Sequence, residues 1–183
     1  MPAEPDELLM RQVCAGDGSA FDVLFRRHCA RVHALCARIT CDPFAADDLV
    51  QDTFIRVLRL GKTFRGGARF STWLYRIARN VCFDHLKRVR RITTVDAQVF
   101  ESSSAVENDG RHRLLERALA ALPPDRREVI VLSRFHDLPY EELAEVLNCS
   151  AGAARVRVHR ALLELKQIVH QLEAKDERVS NRA

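Results

Sequence analysis

The sequence predicts an all-α protein with two small helical domains joined by an acidic linker. Apolar residues recur at helical spacing through both halves of the 183-residue chain. Glycine and proline are scarce, at 7 and 6 residues, which favours helices over a turn-rich β fold. Residues 93–110 hold four acids, no base and no sustained apolar periodicity, which is typical of a linker. We therefore expect one domain over 1–92 and another over 111–183, the second ending in a polar tail.

The N-terminal domain is predicted to contain four helices. The first covers Asp6–Ala15, and Ser19 caps the second after a Gly-Asp-Gly turn. A third helix covers Pro43–Leu60, with its last apolar residues, Leu58 among them, directed inward. Two adjacent glycines make Lys62–Arg69 a loop, and Ser71 caps a fourth helix of about twenty residues.

The C-terminal domain is also predicted to contain four helices. Two cover Arg111–Leu122 and Asp125–Phe135, and a proline pair separates them. A short helix over Pro139–Leu147 is followed by a turn and by a long helix that Ser150 caps and that ends near Leu172.

The last two helices form a candidate helix-turn-helix. A short helix, a tight turn and a longer basic helix is the arrangement that places the second helix in a major groove. The side opposite its apolar stripe is expected to read bases, while flanking arginines reach phosphates. The candidate contacts are Ser150, Gly152, Arg155, Val156, Arg157, His159 and Arg160. The alternative is an ordinary amphipathic hairpin with solvated arginines.

A second candidate interface lies in residues 62–91, which hold nine Lys or Arg and one acid. Basic and aromatic side chains together suit single-stranded nucleic acid, because charge follows the backbone and rings stack on bases. The Gly-Gly loop could also form a pocket for an unstacked base. The candidate contacts are Phe64, Arg65, Arg69, Arg76, Arg79, Asn80, Phe83, Lys87 and Arg88. On composition alone, a structural role for the aromatics and solvation of the charges remains an equal alternative.

An acidic face is predicted on the third helix. Gln51 and Asp52 follow Asp48 at steps of three and four, so the three residues lie on one helix face, away from the apolar residues. Such a face is unsuited to DNA. It is either simply solvated or docks on a basic helix of another protein, where charge gives steering and register.

The sequence offers little support for catalysis, a metal or a cofactor. Six cysteines occur without a CxxC pair, and we expect free thiols in a reducing compartment. Cys29, His33 and Cys36 share a helix face at spacings that a metal would tolerate, although small core cysteines are the favoured interpretation. No catalytic signature, secretory signal or membrane-spanning run is found, so we expect a cytoplasmic protein that is not an enzyme.

Three segments, taken in order, resemble the extracytoplasmic-function sigma factors of bacterial RNA polymerase. They are DDLVQDTFIRV (47–57), FRGGARFSTWLYRIARNVCFDHLKR (64–88) and LPPDRREVIVLSRFHDLPYEELAEVLNCSAGAARVRVHRALLEL (122–165). The resemblance covers nearly the whole chain and implies three surfaces. Asp48, Gln51 and Asp52 would bind the clamp helices of the β′ subunit, the basic stretch would melt and read the −10 element, and the last helix would read the −35 element.

The resemblance also implies partners, namely core RNA polymerase, promoter DNA and an anti-sigma factor. RNA synthesis would belong to the core enzyme. The reading helix departs from the common Gly-Thr-Val pattern at Gly152-Ala153-Ala154, and Val156 replaces a small polar residue, so no −35 sequence can be inferred. Two other hypotheses stay open: a stand-alone helix-turn-helix regulator, and an RNA-binding module built on residues 62–91. Tuning of activity by thiol oxidation is a further hypothesis.

Overall fold

The computed structural model describes residues 4–64, 67, 69–93 and 110–180. The helices are α1 (Asp6–Cys14), α2 (Gly18–Thr40), α3 (Pro43–Leu60), α4 (Phe70–Thr93), α5 (Gly110–Ala121), α6 (Pro124–Ile130), α7 (Tyr140–Leu147) and α8 (Ala151–Ser180). A 3₁₀ turn at Gly61–Thr63 follows α3, and a π-helical turn at Val131–Phe135 continues α6. No strand occurs in these described ranges, and the predicted all-α class is confirmed. Residues 94–109, which make up most of the predicted linker, lie outside the described residues.

Aspartates cap the second and third helices. The Asp17 carboxylate accepts the backbone N–H groups of Ser19 and Ala20 at 2.8 and 3.3 Å, so the predicted cap at Ser19 is wrong. Asp42 accepts those of Phe44 and Ala45 at 3.0 Å each. A carboxylate at this position satisfies donors that a helix leaves unpaired.

The fourth and last helices differ from prediction at their ends. α4 begins at Phe70, one residue before the predicted cap Ser71, and the Phe70 N–H donates to the Glu7 carboxylate at 2.9 Å. Ser150 caps α8 as predicted, because its Oγ accepts the Ala153 N–H at 3.2 Å. α8 then continues eight residues past the predicted end at Leu172, so part of the expected polar tail is helical.

The two domains pack against each other around one continuous core. α4 lies against α7, and α2 lies against α6. Leu35 and Leu74 from the N-terminal domain share this core with Leu132 and Leu143, all essentially inaccessible to solvent. Burying a leucine side chain contributes about 1.5–3 kcal/mol, so the contact between the domains is a stabilising one. A smaller cluster joins α5, α6 and α8 within the C-terminal domain.

The cysteines are unpaired, and two of them are core residues. Cys36 and Cys82 are both 0% exposed. A hydrogen bond with Cys36, followed by burial, raises the pKa of the Cys82 thiol well above its ordinary value, so Cys82 is held in the unreactive thiol form. His33 is directed toward Asp47, at 3.5 Å, and the described part of the chain contains no group of three side chains suited to a metal.

None of the helices in the described ranges has the length and apolar character of a membrane span.

Candidate nucleic-acid and protein-docking interfaces

The predicted acidic face is exposed on α3. Leu49 and Val50 are buried in the core, so helical geometry turns Asp48, Gln51 and Asp52 toward solvent. Within the described residues, neither Asp48 nor Asp52 forms an ion pair. Because these carboxylates are not neutralised inside the fold, the face is available for a basic partner.

Several exposed apolar residues on α3, Phe44, Ile55 and Leu58 among them, were missed or misplaced by sequence analysis. Phe44 is 87% exposed at the start of the helix, and Ile55 is 44% exposed one turn after Gln51. Leu58 is 50% exposed, so its predicted inward orientation is wrong. Ile55 and Leu58 continue the acidic face toward the end of α3, which gives this face apolar surface that a partner helix could cover. Their helical spacing from Gln51 was the available signal.

The predicted basic face lies along α4. Arg76, Asn80, Lys87 and Arg88 are exposed, and they follow one another at helical spacing. Phe83 is half-buried between them. This arrangement places cations and an amide along one side of the helix, as contact with a nucleic-acid backbone requires.

A groove of about 400 Å³ opens on this face beside Phe83. The Arg79 guanidinium lies 4.7 Å from the centre of the Phe83 ring, and Asn80 and Lys87 line the same groove. Asp84 also lines it and pairs with Arg56 at 2.9 Å. The groove therefore combines a ring, an amide and several cations, with its one lining carboxylate neutralised.

The loop before α4 contributes an aromatic cluster. The Phe64 ring lies 5.3 Å from Trp73 and 5.9 Å from Phe70, and it is half-buried there. Its predicted contact with a base therefore competes with packing inside the protein. Arg65, another predicted contact, lies outside the described residues, and Arg69 is exposed at the end of the loop.

Two of the predicted DNA-binding arginines are held by the C-terminal domain. Glu128 accepts two hydrogen bonds from Arg79, at 2.5 and 3.0 Å, and its side chain is only 4% exposed. Burial raises the pKa of the Glu128 carboxyl, and the Arg79 hydrogen bond opposes that shift. Glu142 accepts from Thr72 at 2.8 Å and lies 3.1 Å from Arg69. In this conformation the two carboxylates therefore occupy hydrogen-bonding positions of both arginines.

Arg127 connects the domains through backbone carbonyls. It donates to the carbonyls of Leu119, Ala120 and Leu122 at the end of α5, at 2.8–2.9 Å, and to that of Ile39 at the end of α2, at 2.8 Å. These carbonyls lie at helix ends, where intrahelical donors run out, and Leu119 O accepts in addition from the Leu122 N–H at 3.2 Å. One buried guanidinium therefore contributes hydrogen bonds to the ends of two helices. Burial lowers the pKa of Arg127, which stays charged because arginine titrates far above neutral pH.

A buried histidine completes the contact between the domains. His136 is 7% exposed, its ring centre lies 5.0 Å from that of Tyr75, and neither ring nitrogen has a hydrogen-bond partner among the described residues. Burial, assisted by the charges of Arg31 and Arg38, lowers its pKa to about 4, while Asp137 acts in the opposite direction. The domain contact therefore requires a neutral imidazole.

One side of α8 is buried, and the predicted contact residues lie on its exposed side. Ala154, Val158 and Ala161 are at most 2% exposed and pack α8 on its own domain. The seven predicted contacts, Ser150, Gly152, Arg155, Val156, Arg157, His159 and Arg160, are all exposed. A Cβ at Gly152 would meet nothing within 4 Å, so the fold itself does not require glycine there. The backbone at the start of α8 is therefore open to close approach by another molecule.

Comparisons with known proteins match two separate parts of the chain. Residues 24–92 match sigma-70 region 2, and residues 112–165 match sigma-70 region 4. The RNA polymerase sigma-H factor of Pseudomonas aeruginosa is 34% identical over 174 residues, which cover 86% of this chain and 90% of that protein. The ECF RNA polymerase sigma-E factor of Escherichia coli is 32% identical, covering 85% and 90%.

A solved structure extends the similarity to the arrangement of the helices. The sigma factor RpoE of Bartonella quintana, in complex with the anti-sigma factor NepR, superposes with a TM-score of 0.71 at 25% identity, over 82% of this chain and 96% of that one. The chain belongs to the sigma-70 family of RNA polymerase sigma factors. Within that family it is an extracytoplasmic-function (ECF) sigma factor, which confirms the resemblance seen in the sequence.

Proposed function

We propose that this sigma factor directs core RNA polymerase to specific promoters and starts promoter melting through three separate surfaces. The observation that carries the proposal is the sorting of charge onto exposed helix faces. The α3 face is anionic, whereas the exposed faces of α4 and α8 are cationic. A protein that binds both an enzyme and DNA needs separate surfaces whose charge is complementary to each partner.

The acidic face of α3 is proposed to bind the clamp helices of the β′ subunit. Asp48, Gln51 and Asp52 supply charge and hydrogen-bond acceptors, and Ile55 and Leu58 supply apolar area next to them. Apolar contacts give most of the affinity in such interfaces, while charges set register and association rate. An exposed face with both features supports docking over simple solvation.

The α4 face and the preceding loop are proposed to bind the −10 element as single strand. Arg76, Lys87 and Arg88 would follow the phosphates, and the groove at Phe83 would hold an unstacked base. α8 is proposed to enter the major groove at the −35 element, with His159 and Arg160 at base edges.

The compact conformation is not the one that binds both elements. Elements named for positions −10 and −35 lie about 25 base pairs apart, or about 85 Å along straight duplex DNA. A compact chain of this length has a radius of gyration of about 16 Å, and α8, its longest helix, spans about 45 Å. Promoter binding therefore requires the domains to separate, which frees Arg79 from Glu128. The residues between α4 and α5, 94–109, can reach about 55 Å when extended.

The proposed partners are core RNA polymerase, promoter DNA and an anti-sigma factor, and the proposed location is the cytoplasm. RNA synthesis belongs to the core enzyme, so this chain catalyses nothing itself. The anti-sigma partner is supported by the fold shared with RpoE, which was solved with NepR bound. Release of such a partner would expose the surfaces described above.

Reconstituted transcription tests the proposal. Purified chain plus bacterial core polymerase should give promoter-dependent transcripts, while the chain alone should bind duplex DNA weakly. A stand-alone regulator would instead bind duplex DNA tightly without polymerase. An RNA-binding module would tolerate loss of Arg160.

Two variants assign the surfaces. Asp52→Arg should abolish co-purification with core polymerase, whereas Asp22→Arg, an equal charge change on exposed α2, should not. Arg160→Ala should weaken promoter binding by about 1–3 kcal/mol if Arg160 reads a base, and Arg113→Ala, at an exposed position of α5, is its control. Full core binding by the Asp52 variant would contradict the docking assignment.

A further inference from the structure

An aromatic ring of α7 lies against one of the arginines of the predicted reading helix. The Arg155 guanidinium carbon lies 5.0 Å from the centre of the Tyr140 ring. Arg155 is exposed near the start of α8, and Tyr140 is the half-buried first residue of α7. The two helices of the helix-turn-helix are therefore joined by a cation–π contact.

The Tyr140 ring is held in place by its own helix. α7 packs against α8 and α4, and its residues Leu143 and Leu147 are buried in the core. The Leu143 N–H donates to the Pro139 carbonyl at 2.8 Å and closes the first turn of α7. Tyr140 itself packs against the core that the two domains share. The ring is therefore positioned by contacts that do not involve Arg155.

The cation–π contact leaves the hydrogen-bonding groups of Arg155 available. The face of a ring attracts a guanidinium through its charge and uses none of its five N–H donors. Among the described residues, the Arg155 side chain forms no hydrogen bond or ion pair. Arg79 differs, because the Glu128 carboxylate accepts two of its hydrogen bonds. A ring can thus support an arginine without competing with DNA phosphates for its donors.

A guanidinium that is already positioned loses less freedom when it binds a phosphate. Arginine is among the side chains with the most rotamer freedom to lose. The contact with Tyr140 restricts Arg155 before DNA is bound, so less ordering remains for the binding step.

We propose that Tyr140 is a positioning residue for binding to the −35 element, holding the Arg155 guanidinium where it meets the phosphate backbone. The inference rests on the proposed function of α8 and goes beyond it, because Tyr140 acts through Arg155 rather than on DNA. Arg157 provides the internal control. It is exposed on the same helix and has no ring contact among the described residues.

Nuclear magnetic resonance of the free full-length chain tests the contact itself. The ring current of Tyr140 should move the side-chain proton resonances of Arg155 upfield from those of Arg157. Tyr140→Leu keeps apolar bulk at this half-buried position but should remove the shift, whereas Tyr140→Phe should keep it. Arg155 resonances that match those of Arg157 in the wild-type spectrum would overturn the proposal, whether or not the leucine variant folds.

Promoter binding by the holoenzyme tests the consequence. The full chain is assembled with core polymerase, and its affinity for a promoter fragment is measured in wild-type, Arg155→Ala and Arg157→Ala backgrounds. Tyr140→Leu should weaken binding by up to about fivefold, the value for an exposed cation–π contact. Tyr140→Phe should bind like wild type, because the ring remains. Tyr140→Leu should have no further effect in the Arg155→Ala background and its full effect in the Arg157→Ala background.

The same comparisons separate positioning from other roles of Tyr140. An equal loss for Tyr140→Leu in all three backgrounds indicates a general structural role, and an equal loss for Tyr140→Phe indicates that the hydroxyl contacts DNA; either result contradicts the proposal. If Arg155→Ala alone binds the promoter like wild type, the proposed function of Arg155 is wrong and the positioning role fails with it. If Arg155→Ala weakens binding and Tyr140→Leu does not, only the positioning role is wrong.

Discussion

Glu128→Gln is expected to weaken the contact between the two domains. Glu128 is 4% exposed and accepts two hydrogen bonds from Arg79, at 2.5 and 3.0 Å. Glutamine keeps the size and one acceptor but removes the charge. Breaking one side of a buried ion pair costs about 3–5 kcal/mol. The Arg79 side chain is 25% exposed and can turn to solvent, so we expect a cost of about 2 kcal/mol here.

A cost of that size changes the conformational equilibrium measurably. At about 1.4 kcal/mol per factor of ten, the open population should rise about 30-fold. Where the closed form dominates, the affinity for a ligand of the open form rises by the same factor. A fluorescent single-stranded −10 oligonucleotide should therefore bind the free variant up to about 30 times more tightly than wild type, because Arg79 is released.

Small-angle scattering and oligonucleotide titration check this prediction together. The radius of gyration of the variant should exceed the value of about 16 Å expected for a compact chain. Glu141→Gln removes an equal charge from an exposed position of α7 and serves as the control. Thermal unfolding by circular dichroism must show that each variant folds. A folded Glu128→Gln protein with wild-type dimensions and wild-type oligonucleotide affinity would refute the argument.

Two further predictions concern stability. His136 has a pKa lowered to about 4, chiefly by burial. The unfolded chain therefore takes up this proton first as pH falls, and about 3 kcal/mol of stability present above pH 6.5 should be lost by pH 4. In urea unfolding at a series of pH values, His136→Phe should remove this loss, and an unaltered pH slope would show that other groups cause it. Gly61→Ala should destabilise the chain by about 1 kcal/mol, because its Cβ meets the flexible end of Met10. Met10→Ala should reduce that penalty in a double-mutant cycle.

Local signals made the helices predictable. Asp42 and Pro43 mark the start of α3, and Ser150 marks the start of α8, because capping groups act on N–H groups two or three residues away. The apolar stripe predicted on the last helix is the buried side of α8, where Ala154 and Val158 are at most 2% exposed. The residues outside the apolar stripe of each helix are then the exposed candidate contacts.

Contacts between distant segments could not be predicted in this way. Periodicity shows which side of a helix is buried and gives no information about which helix covers it. Glu7 lies 63 residues from Phe70, and Glu128 lies 49 residues from Arg79. The cap predicted at Ser71 therefore leaves out Glu7, and the DNA contact predicted for Arg79 leaves out the competing carboxylate of Glu128. Nothing in the local sequence of the C-terminal domain marks Glu128 and Glu142 as residues that contact the N-terminal domain.

Glu128 and DNA compete for Arg79, and this competition affects how the proposed function starts. The Arg79–Glu128 pair is largely buried, so salt screens it less than it screens contacts with DNA phosphates. Promoter DNA alone is therefore a poor competitor for Arg79 at physiological salt. The acidic face with Asp48 and Asp52 stays exposed in the compact conformation, so docking on core polymerase does not require the two domains to separate first. A partner shifts such an equilibrium only by binding one state better. The acidic face alone is exposed in the compact form as well, so in the proposed function the domains separate only through a further contact that the separated form alone can make.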